Sequence, residues 1–160
     1  MPSNKTISKS SICVIGIGSS IRSDDGIGHY ICDQLEKMKQ YDIEIYTSIQ
    51  LDPSLAETIK NYKHVIIVDA AVENNQHDVQ LYPLNNQPLL HQSNSHHFDA
   101  ETLAAISSNL YKQHTDFYVC SVKGYYFELG TLLSESALAN AERATDLIIE
   151  LIKKISAKEN

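Results

Sequence analysis

The stretch ICVIGIGSSIRSDDGIG, residues 12–28, decides the fold of this chain. It begins with a short, β-branched apolar run, which predicts a buried strand over Ile12–Ile15. Gly16 and Gly18 then permit backbone conformations and close approaches that other residues exclude. Four apolar residues follow at the spacing of a helix: Ile27, Ile31, Leu35 and Met38. The stretch is therefore predicted to cross from a strand into a helix.

Two adjacent acids, Asp24 and Asp25, lie where this helix is predicted to begin. One interpretation is capping, because Ser23 or Asp24 can accept hydrogen bonds from the first N–H groups and a negative charge suits the helix dipole. If Asp24 is the cap, Asp25 remains near the carboxyl end of the strand, where open parallel sheets bind ligands. Capping by both acids and ligand binding by Asp25 stay open from this stretch alone.

Composition limits the classes of function. The 160 residues carry a formal net charge of −7, which argues against electrostatic binding of nucleic acid or of an anionic membrane surface. We expect a flexible tail over residues 1–10 and a single domain over residues 11–157, with no signal peptide and no membrane span. The expected location is cytoplasmic, the expected state is a monomer, and the expected partners are other proteins or small cations.

The three cysteines, Cys13, Cys32 and Cys120, are odd in number, far apart and surrounded by apolar residues. This distribution is typical of small buried hydrophobic residues in a reducing compartment. It predicts neither a disulfide framework nor a thiolate metal site.

Strand and helix patterns alternate along the rest of the chain. Strands are predicted over residues 42–49, 63–70, 78–84 and 116–122, the third of them antiparallel at an edge. Helices are predicted to begin after the capping residues Asp52, Asp99 and Ser134. The inner face of the helix after Asp99 is predicted to carry Leu103, Ile106 and Leu110. The fold class is therefore α/β: a doubly wound three-layer sandwich of about five mostly parallel strands, with helices on both faces.

Asp69 ends the most strand-like run of the chain, 63–70, which is apolar without alternation as in a central parallel strand. Its position predicts that it lies on the same edge of the sheet as Asp25. The residues that follow it resemble a turn and offer no helix to cap, which favours a functional role for this acid.

His96 and His97 lie in a polar loop just before the helix that Asp99 begins. Two adjacent histidines in a polar loop are commonly exposed to solvent and bind no ligand. However, a loop that precedes this helix can extend over the carboxyl edge of the sheet, toward Asp25 and Asp69. A dinucleotide site is disfavoured, because Ile21 replaces the third glycine of that fingerprint and acids stand where a pyrophosphate requires N–H groups.

These motifs, taken in order over roughly residues 12–152, resemble the hydrogenase maturation endopeptidase family. Its members remove a C-terminal peptide from the large-subunit precursor of nickel–iron hydrogenases after nickel insertion. The resemblance implies an aspartyl-type endopeptidase whose catalytic acids are Asp25 and Asp69 and whose metal contacts are Asp25, Asp69 and His96. His97 remains the alternative to His96.

The resemblance also implies nickel, supplied by the hydrogenase large-subunit precursor, as the metal. Two carboxylates and an imidazole form a ligand set that nickel accepts and that other divalent ions could share. The sequence leaves open whether the metal activates the scissile carbonyl or water, or a carboxylate is the general base. The alternatives are a nickel-sensing chaperone of the same fold without proteolysis and a degenerate nucleotide-binding module.

Three departures from the family pattern accompany these matches. Ser19 replaces a common Asn, residues 50–53 replace a Gly-Thr pair, and Asp99 stands where a Gly or Pro often follows the histidine. The three predicted ligands are unaffected, but the identity of the hydrogenase stays open.

Overall fold

The computed structural model describes residues 10–73, 77–84, 99–112 and 114–160. Its strands are β1 (Ile12–Ile17), β2 (Glu44–Ser48), β3 (His64–Ala71), β4 (Val79–Pro83) and β5 (Asp116–Lys123). Its helices are α1 (Ile27–Lys37), α2 (Leu55–Ile59), α3 (Ala100–Tyr111) and α4 (Glu135–Glu159), and a short 3-10 helix (Ser23–Gly26) precedes α1. The predicted tail lies almost wholly outside the described residues. No described helix combines the length and apolar character that a membrane span requires.

The five strands form one sheet in the order β2-β1-β3-β5-β4. Neighbouring strands are parallel from β2 to β5, and β4 pairs antiparallel with β5 at the edge. The central strand is β3, whose residues 65–68 are fully buried, as its continuous apolar run predicts. The predicted α/β class, with one antiparallel edge strand, is confirmed.

Apolar residues on the two faces of the sheet pack against different helices. One core joins β1, β3 and β5 to α1 and α4, and the other joins the opposite faces of these strands to α2 and α3. Alternation along β1 illustrates the division, because Val14 belongs to the first core while Cys13 and Ile15 belong to the second. The arrangement is the predicted three-layer sandwich.

Two apolar residues predicted on inner helix faces are exposed. Met38 follows the last residue of α1, and Leu110 lies in the last turn of α3 with 66% of its surface exposed. Their spacing continues the helical pattern, but each lies where its helix ends. Leu103, nearer the middle of α3, is fully buried as predicted.

The cysteines behave as predicted from their surroundings. All three are buried and none forms a disulfide. Burial raises the pKa of the Cys32 thiol, and likewise that of Cys120, to about 12. These thiols are therefore protonated at neutral pH and poorly nucleophilic.

The capping prediction for Asp24 is wrong. Neither the 3-10 helix nor α1 has a side-chain cap, and Asp24 is fully buried. One carboxylate oxygen, Oδ2, accepts hydrogen bonds from the main-chain N–H groups of Tyr125 and Tyr126, at 2.7 and 2.9 Å, and from Ser134 Oγ at 2.7 Å. The other, Oδ1, accepts from the N–H of Ser134 at 2.7 Å. Asp24 therefore fixes a segment more than a hundred residues away.

Ser134 connects this carboxylate to the last helix. As predicted, it is the N-cap of α4, and its Oγ accepts a hydrogen bond from the N–H of Ala137. Burial alone would raise the pKa of Asp24, but the hydrogen bonds from Ser134, Tyr125 and Tyr126 outweigh burial and hold that pKa below its ordinary value. The buried charge is thus stabilised by donors from the start of α4 and the loop before it.

We predict that Asp24→Ala lowers the free energy of unfolding by more than about 3 kcal/mol, because it leaves several buried donors without an acceptor. Asp25→Asn is the matched control at the neighbouring position and should change stability by less than about 1 kcal/mol. Urea unfolding followed by circular dichroism measures both values. Equal stability of the two variants would contradict the structural role given to Asp24.

Candidate active site

The first turn of α1 lies directly against the sheet because two glycines leave room for it. A Cβ on Gly16 would lie 2.5 Å from the carbonyl oxygen of Gly28, and a Cβ on Gly28 would lie 2.7 Å from that of Val68. No side chain other than hydrogen fits either contact. This close packing brings the residues just before α1 to the carboxyl ends of β1 and β3, next to Asp69.

The turn before α1 places its two acids, Asp24 and Asp25, in different environments. Ser23 has a left-handed backbone with φ of 49°, and it is held by its N–H to the Gly130 oxygen and by its Oγ to the Glu128 oxygen, both at 2.8 Å. These bonds offset the cost of a conformation that is unfavourable for serine. After this residue, Asp24 is fully buried whereas Asp25 is only partly buried.

Asp25 is fixed by the loop that follows β1. Its Oδ2 accepts a hydrogen bond from the main-chain N–H of Ser19 at 2.8 Å. Gly18, with φ of 131°, packs so closely that a Cβ there would lie 2.0 Å from the Asp25 carbonyl oxygen. The predicted need for glycine at this position therefore arises from contact with Asp25 itself.

Asp69 occupies the end of the central strand that the sequence predicts. It pairs in register with Ile17, the last residue of β1, on one side and with Ser121 of β5 on the other. Burial, and then the negative charge of Asp25, raise the pKa of Asp69 to about 6, although the hydrogen bond from the N–H of Ala70 lowers it in part. The two predicted acids therefore lie on one edge of the sheet and interact electrostatically.

The two candidate histidines, His96 and His97, lie outside the described residues. Within the part of the chain that the structure describes, no three potential metal ligands form a group. What the structure brings together is a pair of carboxylates that repel each other without a cation between them. Such a pair can bind a divalent ion or exchange protons near neutral pH.

Sequence reasoning missed two groups that shape the site: the N–H of Ser19, which binds Asp25, and the side chain of Ser23, which directs the turn. In the sequence, only the glycines on either side of this loop indicated a tight turn.

The hydrogen bonds of the loop after β1 also explain why a nucleotide site is disfavoured. Its main-chain N–H groups donate within the protein, at Gly18, Ser19, Arg22, Ser23, Asp24 and Asp25. They are therefore not free for a pyrophosphate.

We predict that Asp69→Asn stabilises the metal-free protein at pH 8. An acid with a raised native pKa favours folding below its unfolded pKa near 4, and this advantage is lost as pH rises through about 6. The rise of this pKa from its ordinary value to about 6 corresponds to a loss of up to about 3 kcal/mol in the free energy of unfolding above pH 6. Urea unfolding between pH 4 and 8 should show wild type losing stability relative to the variant.

The exposed acid Asp146 supplies the matched control for this measurement. Asp146→Asn should follow the pH profile of the wild type. Parallel profiles for wild type and Asp69→Asn would show that Asp69 has no raised pKa.

Comparison with known proteins gives matches only at the level of structure. No protein-family model matches the chain, and no curated protein matches it by sequence. The [NiFe] hydrogenase maturation protease HycI of Thermococcus kodakarensis KOD1 superimposes with a TM-score of 0.70 and 22% identity, over 92% of this chain and 95% of that one. The hydrogenase maturating endopeptidase HybD of Escherichia coli gives a TM-score of 0.69 and 21% identity, over 89% and 92%.

A hydrogenase 2 maturation peptidase from a Thaumarchaeota archaeon gives a TM-score of 0.64 and 20% identity, over 88% of this chain and 97% of that one. In all three pairs the shared fold spans nearly the whole of both chains. The chain therefore has the fold of the solved hydrogenase maturation proteases.

Proposed function

We propose that this protein is an endopeptidase that removes the C-terminal extension of a nickel–iron hydrogenase large-subunit precursor after nickel insertion. In this proposal the nickel belongs to the substrate and is the recognition element. The protein acts as a cytoplasmic monomer whose partner is the precursor, with no role for nucleic acid or a membrane.

The observation that carries the proposal is the pairing of Asp25 and Asp69 at the carboxyl edge of the sheet. Each acid is fixed by its backbone surroundings, Asp25 by Ser19 and Asp69 by its place in β3. The negative charge of Asp25 raises the pKa of Asp69, so the pair is close enough to interact. The same fold in solved hydrogenase maturation proteases supports the assignment.

The roles follow from this chemistry. Asp25, Asp69 and His96 contact the nickel that the precursor carries, with His97 as the alternative imidazole. A nickel ion held by the two carboxylates would offset the repulsion that, after burial, raises the pKa of Asp69. Alternatively, if the nickel only positions the peptide and does not contact Asp69, a pKa of about 6 suits this carboxylate to act as a general base at neutral pH.

Incubation with the large-subunit precursor tests the function. We expect the nickel-loaded precursor to lose a C-terminal peptide, the nickel-free precursor to stay intact, and Asp25→Asn to abolish cleavage because it removes one of the two charges. Mass spectrometry of the product measures all three, and Asp146→Asn should cleave like wild type. Binding of the loaded precursor without cleavage would instead support the nickel-sensing chaperone.

The metal affinity of the isolated protein provides a further prediction. Because the proposed ligands lie on separate elements, Asp25 in the 3-10 helix and Asp69 in β3, and form a carboxylate-rich set, wild type should bind nickel weakly and should bind cobalt or zinc comparably. Isothermal titration calorimetry measures the affinities, and Asp25→Asn should weaken all of them. Stoichiometric nickel retained after purification without added metal would contradict the view that the substrate supplies it.

A further inference from the structure

Large apolar side chains are concentrated beside the candidate active site. Five of the eleven that are exposed among the described residues lie at position 21 or within residues 125–132: Ile21, Tyr125, Tyr126, Leu129 and Leu132. Leu129 and Leu132 are the most exposed of the eleven, at 81% and 82%. An apolar cluster of this kind is typical of an interaction surface.

The backbone beneath these side chains is firmly held. Ile21 and Leu129 precede two residues, Arg22 and Gly130, that form an isolated parallel bridge. The N–H of Gly130 donates to the Ile21 oxygen at 3.0 Å, and the N–H of Ser23 donates to the Gly130 oxygen at 2.8 Å. We call Ile21, Leu129 and Leu132 the apolar rim. Its side chains face solvent although the adjoining backbone at residues 21–23 and 130 is held by these bonds, so binding a partner costs little further ordering of that backbone.

A cavity of about 450 Å³ lies next to the apolar rim. Its lining is mixed: Leu132, Leu133 and Leu138 are apolar, whereas Ser20, His29 and Asp33 are polar or charged. The Nε2 atom of His29 is buried and has no hydrogen-bond partner in the described part of the chain. Because this nitrogen is shut off from solvent, it is not a contact for a ligand in the cavity, and the apolar contacts available there are those of Leu132 and Leu138.

The position of the rim and the cavity indicates what occupies them. Ser20, Ser23 and Gly26 line the cavity, and the same short segment carries Asp25. The N–H of Asp25 donates to the Arg22 oxygen at 3.1 Å, and Ile21 of the apolar rim precedes Arg22, so the rim begins next to the turn that holds this acid. Resting on the proposed function, we infer that the apolar rim and the His29 cavity bind an apolar segment of the substrate polypeptide near the scissile bond.

The test is steady-state cleavage of the nickel-loaded precursor by the double variant Leu129→Ser, Leu132→Ser. Because both side chains are more than four-fifths exposed, the variant should fold normally. We expect KM to rise on the order of tenfold, since apolar contacts with the substrate are lost. The kcat should stay within about twofold of wild type, because the carboxylate pair is intact.

Leu110→Ser is the matched control. Leu110 is 66% exposed and lies in the last turn of α3, which precedes the start of β5 and so lies at the opposite edge of the sheet. Its KM should equal that of wild type. The dissociation constant of the nickel-loaded precursor is measured by interferometry in an Asp25→Asn background. Adding the double variant to this background should raise the dissociation constant, relative to Asp25→Asn alone, by about the same factor as KM.

Unchanged KM and unchanged affinity in the double variant, with wild type active, would overturn this inference alone. A wild type that neither binds nor cleaves the loaded precursor would overturn the proposed function, and this inference with it. A wild-type dimer that the double variant converts to a monomer would assign the rim to self-association and would also overturn the inference.

Discussion

The buried carboxylate of Asp24 is the interaction on which the arrangement of the site depends. A charge removed from water requires donors around it, and residues 125, 126 and 134 supply four. The carboxylate therefore joins the first strand-to-helix turn to the start of α4 and to the loop before it. Asp25 follows directly in the chain, so the position of the candidate catalytic acid depends on a neighbour that takes no part in the chemistry.

The fold was predictable from sequence because its signals are local. The uninterrupted apolar run that becomes β3, the spacing of Ile27, Ile31 and Leu35, and the capping by Asp99 and Ser134 each lie within one element. The errors at Met38 and Leu110 occur where a helix ends. Hydrophobic spacing cannot indicate where contact with the sheet stops, because that depends on the lengths of neighbouring elements.

The site was predictable in part, for a related reason. Ligands bind at the carboxyl ends of parallel strands, and this rule predicted that Asp25 and Asp69 lie at the same edge of the sheet. The structure places both residues at that edge. The partners of Asp24 were not predictable, because they lie 101 to 110 residues away and only the folded chain brings them close. The bond from the Ser19 N–H to Asp25 depends equally on the exact path of a loop.

Two neighbouring acids with the same charge thus lie in different environments, and the difference lies in their hydrogen-bond donors. Asp24 accepts four hydrogen bonds, which offset the cost of its burial and leave it no need of a ligand. Asp25 accepts one from Ser19 and faces the repelling charge of Asp69. A cation between Asp25 and Asp69 would turn this repulsion into attraction, whereas at Asp24 it would have to displace bonds already made. The left-handed turn at Ser23 therefore separates an acid whose hydrogen bonds are supplied by the fold from an acid that retains the capacity to accept a ligand.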